Sequence, residues 1–443
     1  MLRKRILFVN PHIEDFAAYD HFAKPLGLLW LASYVREWFD VDFINALNRE
    51  DPKERPVPVK QDGTGNFPRR IISKPEKLAD IPRNYKRYGL SDSVFLDELE
   101  SVRTPDYIFL SSAMTYWYGG VLHTLGLLKE AFPHVPVFLG GIYAALLPQH
   151  AQENIPVDAI VPFQDLNSVL DSLEILLGVE FKRSYRLPSY DLLGEYRYLP
   201  LLTSSGCVYA CSYCASHNLS PFYQYEPMQF ADLIEAMAKT YGTKNFAFYD
   251  DALLANSENH LDPFLRALIS KNLGVRLYTP NGLHVRFLTQ ETAKLMKAAG
   301  FVDIRLSVES TDPVFLETES PKSTTTEFER AIDYLRKAGF SRQCVKAYLL
   351  LNVPGQAPFG VEASMKEVYK IGAQPMLAFY SPIPGTPDFE RAKTITSVDE
   401  PLFQNNTVYL YRSGFDMDYY QHLKDLELSF RRGAENGKAE NGL

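Results

Sequence analysis

The sequence predicts an α/β protein with a doubly wound parallel sheet in its N-terminal half, a second strand–helix series after it, and a small C-terminal extension. Three observations predict this. Short apolar runs alternate with stretches of helical spacing from about residue 5 to 175. The alternation resumes at 199 and continues to 380. Between the two series, three of the four cysteines fall in one short stretch, Cys207, Cys211 and Cys214.

In the first half, Arg5–Asn10 reads as a buried parallel strand stopped by Asn10-Pro11. Residues 26–39 read as a helix and 41–44 as the second strand. Residues 106–111, 135–140 and 159–161 supply three more strands, with a helix over 122–131. Ligands of such sheets bind beyond the carboxyl ends of the strands. Those ends carry Asn10, Ser111 and Ser112, Gly140 and Gly141, and Pro162-Phe163; the glycine pair would let a ligand approach the backbone. Residues 47–104 form an insert rich in Pro, Lys, Arg and Asp, which reads either as a functional segment or as a solvated one. Thr115-Tyr116-Trp117-Tyr118 follows the third strand and reads either as a ligand cover or as packing. Residues 176–198 read as a linker with Pro188 as breaker.

In the second half, strands are expected at 199–203, 245–249, 276–279, 304–308, 345–351 and 375–380. Helices are expected at 230–241, 261–272, 289–299, 326–338 and 360–371. The first strand delivers the cysteine loop at its carboxyl end, the catalytic face of a β/α barrel. Polar residues recur at the later strand ends: Asp250 and Asp251, Ser307 and Glu309, and Asn352 before the Val353-Pro354-Gly355 turn. The extension over 391–443 reads as a loop and a terminal helix covering the barrel's open side, with a small polar tail from Gly433 expected to be disordered.

With 46 basic and 54 acidic side chains the net charge is −8, which argues against nucleic acid or an anionic membrane as the main partner. No apolar run reaches spanning length, and the basic N-terminus is followed by too short an apolar stretch for a signal. The chain is read as cytoplasmic, with cysteines reduced and available to metal.

The spacing C-x3-C-x2-C can bring three thiolates to one soft metal centre without a fourth local ligand. Two other readings stand beside it: a buried helical face of small residues, and a zinc site completed by His217. With Tyr213 before the last cysteine, the stretch resembles the cluster loop of the radical S-adenosylmethionine (SAM) superfamily. The resemblance implies a partial (β/α)6 barrel over 199–390 and a [4Fe-4S] cluster on Cys207, Cys211 and Cys214. In that superfamily SAM chelates the open iron, and one electron cleaves it to methionine and a 5′-deoxyadenosyl radical. The resemblance further implies that Asp250 or Asp251 fixes the SAM amino group, that Ser307 and Glu309 accept from the ribose, and that Asn352 and its turn pack the adenine. A small-molecule substrate and an electron donor such as flavodoxin or ferredoxin follow from it.

The first half, 1–175, resembles the cobalamin-binding domain often fused ahead of a radical SAM domain. The matching pieces are Val9-Asn10-Pro11, Pro25-Leu26-Gly27-Leu28, Ser111-Ser112 and Leu139-Gly140-Gly141. It departs from that pattern in lacking a D-x-H-x-x-G motif, since neither His12 nor His21 has the spacing, and in the loop Pro162-Phe163-Gln164-Asp165. The implied function is a cobalamin-dependent radical SAM enzyme, with methyl transfer to an unactivated carbon as the leading reaction. The alternatives are a radical SAM enzyme whose first domain binds no cobalamin, and a non-catalytic iron–sulfur or zinc protein.

Overall fold

The computed structural model describes residues 3–161, 163, 165–320, 323–357 and 359–440. The chain divides into two compact units, 1–196 with 399–408, and 197–398 with 409–443.

The first unit is built on a five-stranded parallel sheet. Its strands are β1 (Arg5–Asn10), β2 (Asp40–Asn45), β3 (Tyr107–Leu110), β4 (Val137–Leu139) and β5 (Ala159–Ile160). Ile6, Leu7, Phe8 and Val9 are wholly buried, as expected of a strand covered on both faces. The spatial order is β2-β1-β3-β4-β5. In this order the chain changes direction across the sheet between β1 and β3, where open α/β sheets form their ligand crevice. Asn10 ends β1 and Ser111 follows β3, so both stand at that crevice.

Two expectations are corrected here, and the insert, whose role the sequence leaves open, gains structural detail. Part of the 47–104 insert is structured: Arg69–Ile71 and Lys86–Tyr88 join Ile13–Asp15 in a three-stranded antiparallel sheet. Residues 176–196 do not form a free linker. The Ser189 N–H donates to Leu29 O at 2.9 Å, Tyr190 is buried, and Lys24 pairs with the buried Glu195 at 2.8 Å. The C-terminal extension is also divided. Residues 399–408 belong to the first unit, where Tyr118 donates to Glu400 at 3.0 Å and Asn405 donates to the buried Asp15 at 2.9 Å. The aromatic run after β3 is used for packing and hydrogen bonding: Trp117 Nε1 donates to Asp15 at 2.6 Å, and Tyr118 stacks on Tyr143. Pro162 and Gln164, from the loop after β5, lie outside the described residues.

The second unit holds six parallel strands in sequential order. They are β6 (Leu199–Leu201), β7 (Asn245–Phe248), β8 (Arg276–Tyr278), β9 (Phe301–Glu309), β10 (Val345–Leu351) and β11 (Gln374–Phe379); the short strand Leu283–His284 also pairs with β9. Helices Met228–Tyr241, Leu261–Lys271, Gln290–Ala299, Thr325–Lys337 and Gly360–Ile371 connect them. Thr324 and Glu327 form a reciprocal capping box at one helix start, and Gly300 ends another in left-handed conformation. Pro200 is tolerated because β6 is the last strand on that side of the sheet. On the other side, the helix Met417–Glu440 packs on β11, where Glu427 accepts the Leu377 N–H at 3.0 Å and satisfies the strand edge. That helix runs on through the polar stretch from Gly433 that composition marks as disordered; its Ala, Glu and Lys residues are good helix formers. Among the described residues no helix is long and apolar enough to cross a membrane.

Candidate functional site

Strand β9 carries the polar side of the second unit. Its odd positions Asp303, Arg305 and Ser307 share one face, while Ile304 and Leu306 lie on the other, and the register shifts before Glu309. Asp303 is bonded to Arg305 at 2.9 Å and to Lys346 of β10 at 2.8 Å. Burial would raise the Asp303 carboxyl, but the charges of Arg305 and Lys346 outweigh it and hold the group low. Arg305 also donates to Tyr348 at 2.8 Å, and Tyr348 donates to Pro280 O at 2.8 Å. This polar ladder ends at a cavity of about 320 Å³ lined in part by Tyr348, Ser307 and Glu309.

The cysteines line the same cavity. Ser204–Ser205 and Tyr223–Gln224 form a two-stranded ribbon that closes the loop carrying them. Gly206, at φ 68°, starts the loop where any Cβ would lie 2.4 Å from Ser220 O. Cys207, Cys211 and Cys214 line the cavity and form no disulfide, with Cys211 buried and the other two half-buried. Burial first, then the nearby Asp251 carboxylate, pushes the Cys207 thiol up. The Ser216 N–H donates to Cys214 Sγ at 3.5 Å. His217, the zinc alternative, does not line this cavity, and among the described residues no three of His, Cys, Asp and Glu converge on a single ion. Tetrahedral zinc needs its sulfurs at about 2.3 Å from one point. A [4Fe-4S] cluster takes thiolate ligands of this kind, and three of them leave one iron open.

The two aspartates after β7 separate. Asp250 is buried and turned back to the base of the cysteine loop, accepting from Thr203 N at 3.0 Å, Thr203 Oγ1 at 2.7 Å and Ser204 Oγ at 2.6 Å. Asp251 lines the cavity, and burial pushes its carboxyl up to about 6. Glu309 reaches the cavity from a left-handed backbone, φ 66°, beside a register shift in the β9–β10 ladder. A non-glycine residue held there is strained, and such strain gathers at functional sites. Asn352 is also left-handed, but its amide donates to Ser413 at 3.0 Å and it is not part of the cavity wall. Tyr213 joins the wall, packed against the apolar cluster that includes Tyr380 and Phe389, with its hydroxyl 3.3 Å from Ser320 Oγ. Tyr209 and His284, which the sequence does not single out, meet edge to face at 5.0 Å on the cavity wall.

In the first unit the predicted residues gather at the ends of β1, β3 and β4. Asn10 donates to Asn45 at 2.8 Å and accepts from Ser111 at 3.3 Å. Ser112 donates to Gly140 O at 2.6 Å and accepts from the Ala144 N–H at 3.3 Å. Of the glycine pair, Gly141 is needed by the fold itself. A Cβ on Gly141, at φ 96°, would lie 2.1 Å from Ser112 O, so this glycine lets two loops of the protein meet. Met114 and Ile142, at the same strand ends, are exposed. His12 is held inside the unit, with Nδ1 2.9 Å from Thr124 Oγ1 and Nε2 3.0 Å from Leu90 O.

Residues 201–367 match the sequence profile of the Radical SAM superfamily. The second unit contains a radical SAM domain. The match begins in β6 and takes in the cysteine loop, β7 to β10 and most of the helix Gly360–Ile371, the elements that build the cavity. Over 407 residues the chain is 24% identical to "Uncharacterized methyltransferase PH0819" of Pyrococcus horikoshii, covering 83% of this chain and 78% of that one. By fold it is similar to the radical SAM methyltransferase TsrM from Kitasatospora setae solved with cobalamin and a [4Fe-4S] cluster bound (TM-score 0.63, 17% identity, 90% and 79% of the two chains). TsrM has also been solved with tryptophan substrate and a SAM analogue; that match has TM-score 0.64 and 16% identity over 89% and 77% of the chains. The cobalamin-dependent radical SAM enzyme OxsB, with aqua-cobalamin bound, aligns at TM-score 0.56 and 14% identity over 90% of this chain and 56% of that one. At these identities the likeness to solved structures is one of fold. It covers both units, so the radical SAM domain and the parallel sheet before it form a known pairing.

Proposed function

We propose that this radical SAM protein holds a [4Fe-4S] cluster on Cys207, Cys211 and Cys214, takes SAM into the cavity beside them, carries cobalamin on its first unit, and methylates a small-molecule substrate. One observation carries the reading: the three cysteines share one cavity with Asp251, which follows β7, and with Ser307 and Glu309 at the carboxyl end of β9. When bound, the cluster supplies the electron that cleaves SAM to methionine and a 5′-deoxyadenosyl radical, and cobalamin supplies the methyl group.

The chain's own part is binding and shielding. Asp251 is the carboxylate for the SAM ammonium, a charge-assisted pair that its position in the wall favours over Asp250, whose oxygens are taken by Thr203 and Ser204. Ser307 and Glu309 accept from the ribose hydroxyls. The adenine falls to the turn at Val353-Pro354-Gly355, with Asn352 fixing that turn through Ser413. Tyr209, His284 and Tyr348 wall the cavity on the barrel side and limit water. On the first unit, the crevice between β1 and β3, the Asn10–Ser111 pair and the exposed apolar Met114 and Ile142 offer polar and apolar contacts to a corrin. An electron donor of the flavodoxin or ferredoxin type completes the reading.

The test is anaerobic reconstitution with iron, sulfide and hydroxocobalamin, followed by removal of free ligand and addition of SAM, dithionite and candidate acceptors. Cluster absorbance, corrin bands, 5′-deoxyadenosine and a methylated product are expected. Cluster and deoxyadenosine without retained corrin would assign the first unit another role. Zinc in place of iron, with SAM intact, would overturn the enzyme reading.

A further inference from the structure

Ser212 lies between Cys211 and Tyr213, and residues far along the chain hold it. Its carbonyl accepts the Asp388 N–H at 2.9 Å. Its hydroxyl lies 2.9 Å from Asp388 Oδ2 and 3.0 Å from Glu319 Oε2. Arg391 spans both acids: Nη1 donates to Glu319 Oε1 at 2.8 Å, while Nη2 contacts Glu319 Oε2 and Asp388 Oδ1. Asp388 is fully buried, Glu319 is nearly so, and Arg391 is partly exposed.

A serine hydroxyl has one proton, so it satisfies only one carboxylate at a time. The set therefore places two carboxyl groups and one guanidinium directly against the loop. Packing alone would not need it, because burying a charge is costly unless the charge does something that an apolar side chain cannot. The two acids sit on elements that follow β9 and β11, so the knot fastens the cysteine loop to the far side of the domain.

We propose that Glu319, Asp388 and Arg391 are positioning residues for the cysteine loop and that the opposed charges of Glu319 and Arg391 tune the reduction potential of the cluster it carries, Glu319 lowering it and Arg391 raising it. The second half rests on the cluster reading above. The physical basis is direct: a nearby negative charge opposes the added electron, and cluster potentials follow the charge and hydrogen bonds around them.

Two measurements on the full chain test this. In the metal-free protein, iodoacetamide labelling of each cysteine is followed by mass spectrometry, with Cys344 as internal control. Asp388→Ala should raise the labelling rate of Cys211 relative to Cys344 by about tenfold, the change expected when one charge-assisted hydrogen bond leaves a local opening equilibrium. An unchanged ratio overturns the positioning role. In reconstituted protein, EPR-monitored redox titration should move the potential positive in Glu319→Gln and negative in Arg391→Gln. Coincident potentials, or shifts of the same sign, overturn the tuning role even if both variants fold and load iron fully. A wild-type chain that takes up no iron overturns the cluster reading and the tuning with it, and the labelling ratio then decides the positioning alone.

Discussion

Gly282 faces Ser307 so closely that a Cβ on the glycine would lie 2.0 Å from the serine Oγ. The contact joins the loop after β8 to the polar face of β9 at the cavity wall. Gly282→Ala should therefore turn the Ser307 hydroxyl away, and the backbone must give slightly as well, because the same Cβ would lie 3.1 Å from the Ser307 backbone N and Cβ. We expect SAM affinity to fall about tenfold, one hydrogen bond's worth, while the melting temperature shifts by no more than about 3 °C. Isothermal titration and thermal melting check this together. A large loss of stability with unchanged affinity would place the contact outside the binding surface.

Arg305→Met should be much more damaging. Arg305 is 3% exposed and bridges Asp303 to Tyr348. Removing one member of a buried ion pair costs about 3–5 kcal/mol, whereas removing both leaves no buried charge unpaired. Asp303 keeps Lys346 as a partner, so the lower end of that range applies. Differential scanning calorimetry should show a marked drop for Arg305→Met.

His12 predicts acid lability in the first unit. Burial, then the neighbouring His123 charge, pushes its pKa down to about 3. An unfolded histidine takes a proton below about pH 6.5 and the folded one does not, so the stability it contributes is full above 6.5 and is lost as pH falls toward 3. The slope is about 1.4 kcal/mol per pH unit, or about 2 kcal/mol by pH 5. Urea unfolding at pH 7.5 and 5.0 should show that His12→Gln loses about 2 kcal/mol less than wild type across this step.

Gly141→Ala tests whether the strand ends of the first unit hold the corrin. Its Cβ would meet backbone, Ser112 O, from a left-handed φ, so the loops after β3 and β4 must separate. Reconstituted variant should retain little cobalamin after gel filtration while keeping its iron. Equal corrin content in variant and wild type would place cobalamin elsewhere or nowhere.

Much of this site is legible in the residues themselves. Cys207, Cys211 and Cys214 are set by local spacing, and the position of Ser307 follows from the parity of β9, whereas the register shift before Glu309 leaves no such pattern. Parity also marks Lys346 and Tyr348 as one face of β10, a signal that could have found Tyr348. Asp250 and Asp251 cannot be told apart in sequence, because the difference lies in the hydroxyls of Thr203 and Ser204, which reach only Asp250. Tyr209 and His284 meet through tertiary packing across 75 positions, and no local pattern encodes that. The return of 399–408 to the first unit rests on single long-range bonds such as Asn405 to Asp15, which leave no periodic trace.

The central claim is a SAM-binding [4Fe-4S] centre on three cysteines, and EPR of the reduced, reconstituted protein with and without SAM tests it most directly. We expect a reduced-cluster signal in wild type that changes on adding SAM, and no such signal when Cys207, Cys211 and Cys214 are all replaced by alanine. A signal of equal strength in the triple variant, or a wild-type signal indifferent to SAM, would contradict the account.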